Sequence, residues 1–315
     1  MDLDVKAAAR RAINVYGGLA LVAIGIGCSS QPSGDPAAGG AASVTEARAG
    51  AATGPATATA FGEARETGRA QLSFYYVPSS GFAYTDDDGN LTGVTAELLR
   101  DFATFVATEH GIATEISWYE EPRWADFYAH VRGSRGGVFG VGNVTITDRR
   151  RDEIAFSPPY LNNIAVLVTH ENVPELQNMD RLGEAFRGLT ALPYPGTLHE
   201  TRLQAVGDRW LPGMPTREVA SNDELVSLIA SGNGYFGYMD VYNYWRARQS
   251  GQALRRHPVG DDSSETFGVI MPRGSDWEPV MEEFFRSSGG YAESDRFREL
   301  LRIHLGEELA ALLSS

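Results

Sequence analysis

Few residues in this chain have both the type and the spacing to do chemistry. The six histidines (His110, His130, His170, His199, His257, His304) are scattered, and none stands at metal-ligand spacing from another. His199-Glu200 begins like a zinc-protease helix, but no second histidine follows. The single cysteine, Cys28, excludes an internal disulfide framework and a cysteine-based metal cluster. There is no glycine-lysine phosphate loop and no Gly-x-Ser-x-Gly elbow. Gly232-Asn233-Gly234-Tyr235-Phe236-Gly237 spells the dinucleotide glycine pattern, yet it precedes a strand-like run, where the fingerprint must follow one. What remains is charge: the run Arg149-Arg150-Arg151, with Asn143 and Thr145 just before it, and the lone Asp240.

The elements around these residues decide whether the charge is a site. Residues 71–77 read as a strand, followed by the turn-rich Asp86-Asp87-Asp88-Gly89-Asn90. Over 93–109 the apolar residues Val94, Leu98, Phe102, Phe105 and Val106 recur at helical spacing, and 116–119 is another short strand. Strands alternating with helices predict an α/β fold with a largely parallel sheet. Two later segments share a layout. A helix over 122–132 passes through a turn at Gly133 into the short run 138–142, which ends at Asn143. Ser221 and Glu224 fit a capping box, the helix continues through Leu225, Leu228 and Ile229 to a glycine stop at Gly232, and the run 235–239 ends at Asp240. In both, a buried strand delivers polar residues at its carboxyl end, where open α/β sheets bind ligands. Residues 143–150 and Asp240 are therefore site candidates by position. Read alone, the arginines also fit a solvated basic run, and Asp240 also fits the cap of the next helix.

Composition narrows the partners. The 315 residues carry 41 acidic against 27 basic side chains, a net charge of −14, which argues against general nucleic-acid binding. At the amino terminus, Lys6, Arg10 and Arg11 precede an apolar run over 13–26, broken by Asn14 and glycines, and then Gly27-Cys28. That is the layout of a secretory signal peptide, too short and glycine-rich for a membrane span. From Ser29 to Ala60 the chain is almost wholly Ala, Gly, Ser, Pro and Thr, with Val44 its lone large aliphatic. Such a stretch cannot bury enough apolar surface to offset its ordering entropy, so a disordered tether is predicted over 29–68, reaching roughly 35 Å. The folded body is then expected from Arg69.

Two resemblances follow from these residues. Cys28 directly after the apolar run resembles the bacterial lipoprotein signal, with Gly25 where that signal has a branched residue; it implies that 1–28 is a lipoprotein signal whose Cys28 is acylated and becomes the new first residue. The stretch NVTITDRRRDEIAFSPPY, from Asn143 to Tyr160, resembles the most characteristic segment of the family 3 extracellular solute-binding proteins. NLTGVTAELLRDFA, GTLHE at Gly196–Glu200, SLIASGNGYFGYMD and FGVIMPR agree with it in order, so that it spans nearly everything after the tether.

The resemblance implies the type 2 periplasmic-binding fold, two α/β lobes joined by two crossing strands. Lobe 1 would hold 69–165 and 262–315, and lobe 2 the stretch 166–261. It implies capture of an amino acid or similar zwitterion for an ABC importer, with a permease and an ATPase as partners. The protein would be an extracytoplasmic monomer held to a membrane by its lipid alone, with no cofactor and no metal. Arg150 would grip the ligand's α-carboxylate, a task suited to the planar two-pronged guanidinium. Asn143 and Thr145 would flank it, Asp240 would hold the α-ammonium, and Thr197 would assist where Leu198 replaces the usual second Ser or Thr. Trp124, Tyr75 and Tyr84 would form an aromatic wall over the side chain. The alternatives are a cyclohexadienyl-dehydratase-like enzyme, with Glu121 or Glu200 as its acid, and a sensory or cell-wall-fragment binding module resembling part of a membrane-bound lytic transglycosylase.

Overall fold

In chain order the elements are β1 (Val44–Ala47), α1 (Phe61–Thr67), β2 (Arg69–Tyr76), β3 (Tyr84–Thr85), β4 (Leu91–Thr92), α2 (Val94–Glu109), β5 (Ala113–Glu120), α3 (Trp124–Gly133) and β6 (Val138–Thr145). Then come α4 (Asp148–Arg151), β7 (Ala155–Phe156), β8 (Leu161–His170), α5 (Leu182–Ala185), β9 (Thr190–Ala191), α6 (Leu198–Trp210), α7 (Asn222–Ala230) and β10 (Tyr235–Asp240). The chain closes with α8 (Val241–Gln249), β11 (Leu254–Arg256), β12 (Asp262–Met271), α9 (Glu278–Arg286), α10 (Asp295–Leu305) and α11 (Glu307–Leu313). This computed structural model describes residues 42–47, 54–232 and 234–313. The signal segment, Cys28, and residues 29–41 and 48–53 of the predicted tether lie outside them.

The α/β alternation builds a mixed sheet ordered β1-β5-β2-β6-β12-β8-β10-β9, not the largely parallel one expected, because β8 and β12 pair antiparallel with their neighbours. The first four strands are mutually parallel, with α2 and α3 serving as the crossover connections that parallel neighbours need. β12 and β8 then run antiparallel to their neighbours and span the two halves. β8 pairs with β12 over its first residues, Leu161 opposite Phe267, and with β10 over its last, Val168 opposite Gly237. β12 in turn passes to β6, where Phe267 faces Thr145. These two strands carry the chain out of one half and back.

Side-chain period sets the core. On α2, Val94, Leu98, Leu99, Phe102 and Val106 are fully buried, one face of a 3.6-residue repeat laid on the sheet. Phe102 meets Phe139 of β6 and Trp277, ahead of α9, at ring separations of 5.2 and 6.2 Å. A smaller apolar cluster, centred on Leu182, Phe186, Leu203 and Phe236, lies under the stretch that follows β8. The predicted cap at α7 is present, with Ser221 Oγ accepting from the Glu224 N–H at 3.1 Å, while Glu224 reaches one residue beyond the cap, its Oε2 accepting from the Ala220 N–H at 2.8 Å.

One expectation needs correction. The tether over 29–68 is not wholly disordered, because the folded body includes β1, the loop before α1 and α1 itself. β1 adds a parallel edge to β5, with Val44 opposite Thr114, and Glu46 pairs with Arg100 at 2.7 Å. Trp277 Nε1 donates to the Thr59 carbonyl at 2.9 Å. An edge strand is recruited through main-chain hydrogen bonds, which composition does not report.

Candidate functional site

The carboxyl ends of β6 and β10 face one cavity of about 880 Å³, completed by the starts of α3, α6 and α7, the face of α8 and the loop after β2. Both strand ends named from position alone therefore meet in space.

At the first strand end, β6 passes through Asn143, whose φ of 51° is left-handed, a region that Asn tolerates better than most residues. Its amide holds that geometry at both ends, donating to the Tyr242 hydroxyl at 2.8 Å and accepting from Tyr160 at 3.2 Å. The turn then enters the one-turn α4, capped by Thr147 Oγ1, which accepts from the Arg150 N–H at 3.2 Å. This short helix sorts the three arginines. Arg149 and Arg151 are exposed, whereas Arg150 is turned inward and 9% exposed. Its Nη1 donates to the Thr145 carbonyl at 3.0 Å, and its guanidinium lies 4.8 Å from the Trp124 ring. Trp124 is itself fixed by stacking on Tyr128 and by donating to the Gly142 carbonyl at 3.3 Å. Burial draws the guanidinium below its ordinary value, with Tyr128, Glu265 and Glu153 acting against that pull. The fork is thus held on one edge and backed by an aromatic face, which leaves its other N–H groups for a ligand.

At the second strand end, Asp240 occupies the backbone position of a cap for α8, but its side chain makes no capping bond. It accepts instead from Asn163 Nδ2 of β8 at 2.5 Å and faces His199 Nε2 of α6 at 3.4 Å. Burial works against its ionisation, and His199, Asn163 and Tyr242 outweigh it, so the carboxyl sits below its usual range. Asn163 also donates to Glu265 of β12 at 2.7 Å, and Glu265 pairs with Arg202 of α6. A buried polar chain thus ties both crossing strands to the second half of the molecule.

Asn143, Thr145, Arg150, Asp240, Thr197 and Trp124 all line the cavity. Thr197 Oγ1 donates to the Tyr194 carbonyl at 2.7 Å, at the start of α6. Two aromatic expectations fail. Tyr75 lies within β2, two residues before Val77 where the cavity wall begins, and is packed away from the cavity, stacked on His130 at 4.4 Å with its hydroxyl donating to the Pro55 carbonyl. Tyr84 sits on the β3–β4 ribbon and meets His304 Nδ1 at 3.2 Å. The acids considered for a dehydratase, Glu121 and Glu200, do not line the cavity; each accepts from a nearby backbone N–H. Sequence reading missed His199, Asn163, Tyr242 and Arg246. His199 and Tyr242 flank motif residues, one position after Leu198 and two after Asp240, so proximity was the available signal.

A mixed sheet with two crossing strands, and one cavity lined by both a buried arginine and a buried aspartate, fits a solute-binding protein of the type 2 periplasmic-binding class. The chain belongs to the bacterial extracellular solute-binding proteins, family 3, whose family model matches residues 75–285. Similar solved structures include the amino acid ABC transporter substrate-binding protein AbpA from Streptococcus pneumoniae, bound to L-arginine, at 16% identity and a TM-score of 0.61. That match covers 77% of this chain and 96% of that one. The arginine-, lysine-, histidine-binding protein ArtJ from Geobacillus stearothermophilus is 17% identical with a TM-score of 0.59, covering 77% of this chain and 99% of its own. An ancestral amino acid-binding protein described as a precursor of cyclohexadienyl dehydratase is 16% identical with a TM-score of 0.56, covering 78% and 98%. No curated protein matches this sequence.

Proposed function

We propose that the protein captures an amino-acid-like zwitterion outside the cytoplasm and presents it to an ABC importer, without chemical turnover. The observation that carries this reading is the single cavity in which buried Arg150, with no ion-pair partner among the described residues, faces toward the same space as buried Asp240. A carboxylate at the guanidinium and an ammonium near the aspartate satisfy both buried charges at once. In this reading 166–261 form the second lobe. Residues 69–165 and 262–315, with β1 and α1 added, form the first. Closure about β8 and β12 then buries the ligand.

A thermal-shift screen against amino acids and prephenate-like acids tests it. A zwitterion at about 100 times its Kd stabilises by about 2.7 kcal/mol and raises the melting temperature by about 5 °C or more. Stabilisation by prephenate-like acids alone would replace this reading with the dehydratase.

The same proposal anchors the chain through acylated Cys28. Cys28→Ala is expected to leave the protein without incorporated fatty acid, either released or with its signal uncleaved. A cleaved variant that partitions into membranes as the parent does would remove the anchor.

A further inference from the structure

The charges on the cavity wall do not balance for a plain zwitterion. Besides Arg150, a second arginine is among its lining residues: Arg246, on α8. Arg246 forms no ion pair among the described residues. Its Nη2 donates to the His304 carbonyl at 3.3 Å, and its Nη1 is buried with no hydrogen-bond partner. Asn243, one turn earlier on α8, also lines the cavity with its Nδ2 buried and unpartnered. Two neighbouring buried donors without an acceptor are costly unless something supplies one. The backbone makes room for the guanidinium: Gly81 has a φ of 80°, and a Cβ there would collide with Arg246 Nη2.

The acids on the same wall do not answer this charge. Asp240 is engaged by Asn163 and His199, and Asp223 is an exposed residue in the first turn of α7. A cationic side chain on the ligand would leave Arg246 unpaired and facing a like charge, whereas an acidic one would pair it.

We propose that Arg246 and Asn243 form a second anion subsite, and that the ligand is a dicarboxylic amino acid whose side-chain acid they hold. This rests on the zwitterion reading above, with Arg150 taking the α-carboxylate and Asp240 the ammonium. The cavity's 880 Å³ is ample for glutamate and for its longer homologues.

Calorimetry on the folded protein tests it with glutamate, 2-aminoadipate and 2-aminopimelate, set against the neutral glutamine and norleucine. At least one acid is expected to bind about tenfold or more tighter than the neutral ligands, and Arg246→Gln is expected to collapse that ratio toward one. Neutral ligands binding as tightly as every acid would overturn the inference while leaving zwitterion capture standing. An acid preference that persists undiminished in Arg246→Gln would equally overturn it. If no zwitterion binds the parent protein, the proposed function falls, and this inference with it.

Discussion

Replacing Arg150 with alanine is expected to weaken ligand binding by about 30-fold or more. Truncating one member of a buried hydrogen-bonded charge pair costs about 2–5 kcal/mol, and each 1.4 kcal/mol is about tenfold. The ligand's carboxylate would be desolvated against the Trp124 and Tyr128 rings with no donor to receive it. Arg150→Lys is expected to recover part of the loss, because a point charge cannot reproduce two parallel hydrogen bonds or the stacking on Trp124. Arg149→Ala and Arg151→Ala serve as controls, since both side chains are exposed and should change affinity little. Calorimetry with the ligand found by screening reads all four variants. Equal small losses across the three alanine variants would mean the run is a solvated basic face, and the site assignment would fail.

Asp240→Asn is expected to produce the second large loss, again about 30-fold or more, while keeping the side chain's shape. The amide leaves the ligand's ammonium and His199 Nε2 without their shared negative partner. Loss of an ammonium contact has a distinctive signature: a ligand analogue lacking the amino group should bind parent and variant equally. If the analogue loses as much as the zwitterion, Asp240 acts on the fold and not on the ammonium.

The pH dependence gives an independent check on the same residue. Asp240 is held below its usual range, against its burial, by His199, Asn163 and Tyr242. A carboxyl depressed in the folded state contributes above its unfolded value of about 3.9 and loses that contribution only as pH falls through the lower folded value. Affinity attributable to Asp240 should therefore be flat from neutral pH down to about 5. A loss midway in that window that disappears in Asp240→Asn would mean that the carboxyl is raised and not depressed, and would overturn this account of its surroundings.

How much of this was legible without coordinates follows from the range of each interaction. Periodicity placed α2 and the helix-to-strand units that end at Asn143 and Asp240, because helical spacing and short apolar runs are local properties. The order of elements and the motif from Asn143 to Tyr160 were enough to identify the family, and position at strand ends was enough to single out Arg150 and Asp240. Two local elements escaped inside the predicted tether, β1 and α1; the composition around β1 resembled a linker, and pairing at an edge depends on main-chain groups that every residue carries.

The rest was decided by packing. Tyr75, Tyr84 and Trp124 were equivalent as aromatic residues near the site, and only the packing of β2, the β3–β4 ribbon and the start of α3 separated the one that lines the cavity from the two that do not. Tyr242, which holds Asn143, and Asn163, which holds Asp240, lie 99 and 77 residues away along the chain from them, so only the tertiary fold brings each pair together. Which of three consecutive arginines turned inward was set by the single turn of α4. That Arg246 stands without an acid partner in the same cavity was set by which faces of α8 and α10 meet. Local sequence determines elements and motifs because their energies are summed over neighbours in the chain. The pairing of buried charges is a property of three-dimensional proximity, so the tertiary structure alone decided which groups were matched and which were left for a ligand.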